Sequence, residues 1–124
     1  MTPPHPIERP ASLEALRDGL RQFASERDWD QFHSPKNLAM ALSVEAAELL
    51  EHFQWMPEAD SAALAPEQHA KVREEVADVL LYLIRLADKL DIDLLPAAAE
   101  KIEVNRTKYP VEKARGSSKK YTEL

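Results

Sequence analysis

Residues 66–89 read PEQHAKVREEVADVLLYLIRLADK, with no glycine and no proline after Pro66. A proline with its φ already near the helical value suits the first position of a helix. At about 100° per residue, Val76, Val79, Leu83, Leu86 and Leu90 stay within about 40° of Val72. That period predicts a long amphipathic helix from Pro66 to about Lys89, with this stripe facing the core. Glu75, Asp78 and Tyr82 form a rail along one edge of the stripe, about 60–120° away from Val72. Glu74 points further outward and reads as a solvated acid.

A second segment repeats the pattern. Ser34-Pro35 supplies a cap and an N1 proline for a helix running to about Phe53. With Leu38 as zero, Leu42, Leu49 and Phe53 lie between about 20° and 60°. Glu45 lies about 20° to the other side, inside the stripe, and Glu48 at its edge, about 80° away. Both helices therefore carry an acidic pair, Glu45-x-x-Glu48 and Glu75-x-x-Asp78, and residues at i and i+3 share a face. Packed together, they would converge four hard oxygen ligands of the kind Mg²⁺ takes alongside substrate phosphates. An unpaired ionised carboxylate on an inward face is costly, so it needs a cation or donors nearby. The alternative is that Lys, Arg or His side chains of neighbouring helices satisfy these acids, and at this level both readings stand.

Punctuation divides the remainder. Ser12 is the expected cap of a first helix through Leu13, Leu16, Leu20 and Phe23, ending near Asp28. Residues 54–65, with Pro57, read as a loop. Asp91 or Asp93 should cap a fourth helix, with Pro96 in its first turn, that stops before Pro110. The expectation is a single all-α domain over residues 1–110, a four-helix bundle, followed by a basic, polar tail at 111–124.

Composition narrows the function. The 124 residues hold 44% apolar and 31% charged side chains with a net charge of −6. A basic stripe for nucleic acid is not expected. No cysteine occurs, which excludes disulfides and thiol catalysis, and two glycines cannot build a phosphate-cradling loop. No apolar run approaches a membrane span, and Met1 to Pro10 has no signal-peptide core, so the cytoplasm is the expected compartment.

Trp29, Phe32 and His33 cluster between the first two helices, and Trp55 follows the second. Such rings stack on nucleobases, although a tryptophan in a helix connection more often closes a core. Asn105, Lys108 and Tyr109 end the fourth helix, where donors would meet phosphate or where Lys108 would stabilise a helix C-terminus. His52 shares a side with Glu45, but the Glu-x-x-His spacing of di-iron bundles is missing.

Whole segments then matter more than single residues. ERDWDQFHSPKNL at 26–38, EAAELLEHFQW at 45–55, EEVADVLLY at 74–82, NRTKYP at 105–110 and KKYTE at 119–123 closely resemble the dCTP pyrophosphatase branch of the MazG-like nucleotide pyrophosphohydrolases. The resemblance implies an all-α fold and Mg²⁺-dependent hydrolysis of a nucleoside triphosphate, dCTP or a related dNTP, to monophosphate and pyrophosphate. It implies a homo-oligomer, a dimer or a dimer of dimers, whose sites are completed by a neighbouring chain. Glu45, Glu48, Glu75 and Asp78 match metal-binding acids. Trp29, His33, Trp55 and Tyr82 match base and sugar contacts, and Lys101, Asn105, Lys108 and Tyr109 match phosphate-side positions. Leu20 stands where some members of the family carry a histidine, which leaves the base preference open.

A triphosphate is repelled by an acidic pocket unless cations intervene. Glu45 or Glu48 is the expected group that orients or deprotonates the attacking water, and Lys101 or Lys108 the one that meets charge on the leaving pyrophosphate. The competing readings are another substrate on the same fold, such as a damaged nucleotide or a phosphoribosyl-ATP-like compound, and a non-catalytic helical interaction module. Apolar residues outside the main stripes, Met40, Val44, Leu50, Leu81 and Ile84, predict subunit contacts between the long helices.

Overall fold

The computed structural model describes residues 9–124. Every regular element among them is helical: α1 (Leu13–Glu26), α2 (Pro35–Glu51), α3 (Glu58–Ser61), α4 (Pro66–Lys89), α5 (Leu94–Lys108) and α6 (Val111–Ala114), with 3₁₀ turns at Asp30–Phe32 and Tyr121–Glu123. The four long helices stand where the sequence places them. The reading of the first residues as lacking a leader lies, for 1–8, outside the described residues.

Local chemistry sets the boundaries. Ser12 Oγ accepts from the Ala15 amide at 3.0 Å, and Ser34 Oγ accepts from the Asn37 amide at 3.1 Å. Each side chain satisfies one of the orphan donors of a helix start. Asn37 Nδ2 donates to the Phe32 carbonyl at 3.0 Å, fastening the first 3₁₀ turn to the start of α2. Helices α1 and α4 both end at an aspartate in the left-handed region, Asp28 (φ 53°) and Asp91 (φ 54°). Asp tolerates that conformation better than most residues. Asp91 thus closes α4, and Asp93 is the N-cap of α5. The expected loop at 54–65 contains a one-turn helix, because extended Pro57 launches α3.

The chain forms two compact units, one ending at Asp91 and the other spanning Ile92–Leu124. In the first, α2 packs along α4 and α1 packs against α4. Its buried apolar residues are Ala24, Leu38, Ile84 and Ala87. This corrects the expected facing of α4. Ile84, placed outside the stripe as a subunit contact, is only 2% exposed, whereas stripe members Val76, Leu83 and Leu90 lie open. Apolar residues cover most of the circumference of this helix, so its buried side is chosen by α1 and α2 rather than by periodicity.

In the second unit, the chain turns at Pro110 into α6, and the 3₁₀ turn at Tyr121–Glu123 returns towards the end of α5. The Tyr121 ring meets Tyr109 edge-on at 6.1 Å, and Lys108 Nζ lies 4.9 Å from its centroid. No described helix is long and apolar enough to cross a membrane.

Candidate functional site

Helices α2 and α4 bring Glu45, Glu48 and Glu75 together, with one carboxylate oxygen of each within 4.8 Å of the others. All three are partly buried. Glu45 Oε2 and Glu75 Oε2 are buried without a hydrogen-bond partner among the described residues. Among the described residues, no lysine, arginine or histidine is paired with them or with Asp78. Burial, the adjoining carboxyls of Glu75 and Glu48, and the charges of Glu48 and Asp78 push Glu45 up to about 7. The basic partners that would make this a structural ion network are therefore missing. A set of hard oxygens that repel one another suits a divalent cation such as Mg²⁺.

Asp78, one turn beyond Glu75, is partly buried and links these acids to a cavity of about 210 Å³. Its walls include Leu20, Phe23, Trp29, His33 and Tyr82, so three of the four expected base and sugar contacts meet there. Trp29 stacks edge-on against Phe23 at 5.6 Å and faces His33 at 6.3 Å. The core reading of the tryptophans is overturned: Trp29 is 44% exposed and Trp55 is 88% exposed. Trp55 does not line this cavity.

The sequence reading missed one further group. Arg85 also lines the cavity and is only 5% exposed. Its Nε donates to His33 Nδ1 at 3.1 Å, its Nη2 to Asp30 at 2.5 Å, and its Nη1 to Asp88 at 3.4 Å. Lys89 also pairs with Asp30, and Arg21 of α1 pairs with Asp88. Lys89 and Arg85 hold the Asp30 carboxyl below the usual carboxylate range, and Arg21 does the same for Asp88. Burial, followed by the charge of Arg85, holds His33 below the usual imidazole value. A signal was available, because Arg85 and Lys89 continue the rail of Glu75, Asp78 and Tyr82 at helical spacing.

Lys101, Asn105, Lys108 and Tyr109 belong to the second unit. Lys101 and Asn105 lie exposed on α5, while Lys108 and Tyr109 pack against Tyr121. The Tyr109 amide donates to the Asn105 carbonyl at 2.8 Å, closing the helix.

Known proteins resemble this chain in sequence and fold. Residues 40–124 match the MazG-like family. The dCTP pyrophosphatase 1 of Bos taurus is 43% identical over 125 residues, covering 99% of this chain and 74% of its own length. The Homo sapiens protein of that name is 45% identical over 115 residues, covering 91% and 68%. A solved pyrophosphatase from Archaeoglobus fulgidus superposes with a TM-score of 0.75 at 43% identity, over 79% of this chain and 92% of that one. With the family match spanning more than half its length and whole-chain relatives at this identity, the chain belongs to the MazG-like family.

Proposed function

We propose that this chain is a nucleotide pyrophosphohydrolase of the dCTP pyrophosphatase type, hydrolysing dCTP or a closely related deoxynucleoside triphosphate to monophosphate and pyrophosphate with Mg²⁺. One observation carries the reading: Glu45 Oε2 and Glu75 Oε2 are buried with no hydrogen-bond partner among the described residues, in a cluster where Glu45, Glu48 and Glu75 each bring a carboxylate oxygen within 4.8 Å of the others. Leaving such oxygens unmet costs free energy that a structural role would not require, and it sets apart a place built to receive positive charge.

Glu45, Glu48, Glu75 and Asp78 are the residues that would hold Mg²⁺. When bound, the ion supplies the positive charge that lets a triphosphate enter this acidic site and polarises the phosphoryl group under attack. Glu45 or Glu48 orients the attacking water or takes its proton, and Glu45, pushed up to about 7 by burial and its acidic neighbours, suits that task. Trp29, His33 and Tyr82 receive base and sugar in the cavity beside Asp78. Trp55 is a further substrate contact, and Lys101, Asn105, Lys108 and Tyr109 act on the phosphate side. Residues 1–110 constitute the pyrophosphohydrolase domain, and 111–124 are its basic tail.

The working form is a homo-oligomer, a dimer or a dimer of dimers, in the cytoplasm. Met40, Val44, Leu50, Val76 and Leu83 support the assembly, since they leave large apolar side chains open on both long helices.

A panel of nucleoside triphosphates scored for pyrophosphate release with and without Mg²⁺ tests the activity. The expected result is Mg²⁺-dependent release, fastest with dCTP and its modified relatives. No release from any member of the panel would overturn the reading.

A further inference from the structure

The ion network around Arg85 stands apart from the acidic cluster, yet it reaches the cavity through His33. Arg85 Nε donates to His33 Nδ1 at 3.1 Å. A guanidinium has donors only and keeps its protons, so the ring nitrogen facing it must offer a lone pair. The proton of the neutral imidazole is then confined to Nε2. The guanidinium cannot readily turn away: Asp30 holds Nη2 at 2.5 Å, Asp88 holds Nη1 at 3.4 Å, and the side chain is buried. Both acids are anchored in turn, Asp30 by Lys89 and Asp88 by Arg21. His33 Nε2 makes no hydrogen bond among the described residues.

We propose that Arg85 is a positioning residue that sets His33 as a fixed Nε2–H donor in the cavity, and so selects a nucleobase edge that presents a hydrogen-bond acceptor. The inference rests on the cavity being the base site, as proposed above. Leu20, Phe23 and Trp29 offer only apolar or aromatic walls, which hold any flat ring and give little direction. One oriented N–H distinguishes edges, because a donor brought against it would be left unpaired and desolvated. The other charged or titratable groups near the imidazole are Asp30 on its own turn, and Lys89, Asp78 and Tyr82 on α4. Burial and the Arg85 charge also lower the His33 pKa, which favours the neutral ring. Without Arg85, Asp30 is the carboxylate that would draw the imidazole proton to Nδ1 and reverse the polarity offered to the base.

Long-range ¹H–¹⁵N spectra of the histidine rings in the full chain, without nucleotide, test this independently of turnover. His33 is expected as the neutral Nε2–H tautomer. Arg85→Met should lose that tautomer and raise KM for the preferred triphosphate about tenfold, the effect of losing one oriented hydrogen bond, with kcat changed less than about threefold. Arg85→Lys, which can still donate, should recover part of the loss in KM. An Nδ1–H tautomer in the unaltered chain overturns the proposal, and so does an unchanged KM in a folded Arg85→Met that has lost the Nε2–H tautomer. If Arg85→Met does not fold, the unaltered spectrum and the Arg85→Lys kinetics still decide. An unaltered chain with the Nε2–H tautomer but no turnover of any triphosphate would remove the underlying base-site reading. Turnover with the wrong tautomer would remove the role of Arg85 alone.

Discussion

Two charged clusters share helix α4, and they are built in opposite ways. Around Glu75 and Asp78 the neighbours are more acids, with two buried oxygens unpartnered. Around Arg85, Asp88 and Lys89, every charge meets its complement on α1 or on the 3₁₀ turn at Asp30–Phe32. This helix therefore pairs its charges where they hold the fold together. Their absence of partners in the other half separates charge that awaits a ligand from charge that fastens helices. Burial alone would not draw that distinction, because both clusters are partly enclosed.

The most severe test strikes the unpaired half. Glu45→Gln should lower kcat by about 10²–10⁴-fold, the range for losing a positioned acid–base group, and Asp78→Asn should abolish the Mg²⁺-dependent turnover by weakening the hold on the ion. The metal-free protein should nevertheless melt higher, by about 3–6 °C for roughly 1 kcal/mol of relieved repulsion. The pH dependence has a definite sign. Glu45 binds its proton more tightly folded (about 7) than at its ordinary value of 4.5, so its contribution to metal-free stability is full below 4.5 and is lost as pH rises through about 7. Saturating Mg²⁺ should flatten that slope, because ion and proton compete for the same oxygens. Near-full activity in either variant would take the acids out of the reaction.

The paired half should behave in reverse. Asp88→Asn removes the negative charge shared by Arg21 and Arg85, turns one of the two accepting oxygens into a donor NH₂, and should destabilise the chain by roughly 1.5–3 kcal/mol. Mg²⁺ should neither cause nor repair that loss. The Asp88 carboxyl is depressed when folded, so its stabilisation is present above the ordinary carboxylate value and disappears as pH falls through the depressed one. Acid should thus loosen one end of α4, while rising pH loosens the other in the absence of metal. Thermal melts across pH, with and without Mg²⁺, check both limbs. A destabilised Asp88→Asn that Mg²⁺ restores would erase the distinction between the clusters.

How much of this was legible from sequence follows the range of each interaction. The bounds of α4 could be read from Pro66 and the helical period, and the acid pairs from their i, i+3 spacing, because both signals are local. The buried side of α4 was misread, since Val76, Leu83 and Leu90 compete with Ile84 and Ala87 around one helix. Only packing against α1 and α2 resolves that competition. Arg85 went unnoticed because a long cation beside apolar residues resembles a solvated face. Its meaning depends on Asp30 and His33, which lie 55 and 52 positions away in the chain. The one-turn α3 was missed for another reason: a four-residue helix leaves no period to read.

The smallest expected effect concerns the two tryptophans, which repeat the contrast between committed and unpartnered groups in aromatic form. Trp29 is engaged by Phe23 and His33 on the cavity wall, so Trp29→Ala should weaken nucleotide binding by about 1–3 kcal/mol. Trp55 is almost wholly exposed, so Trp55→Ala should leave stability within about 0.5 kcal/mol, as surface substitutions do. A ring this large and this open is free to meet a substrate or a second chain. Titrations of both variants with a slowly hydrolysed triphosphate, beside their melting curves, separate the cases. Weakened binding in Trp55→Ala with an unchanged melt would make it a substrate contact that the isolated chain does not assemble. Unchanged affinity would withdraw Trp55 from the site and leave Trp29 as its stacking ring.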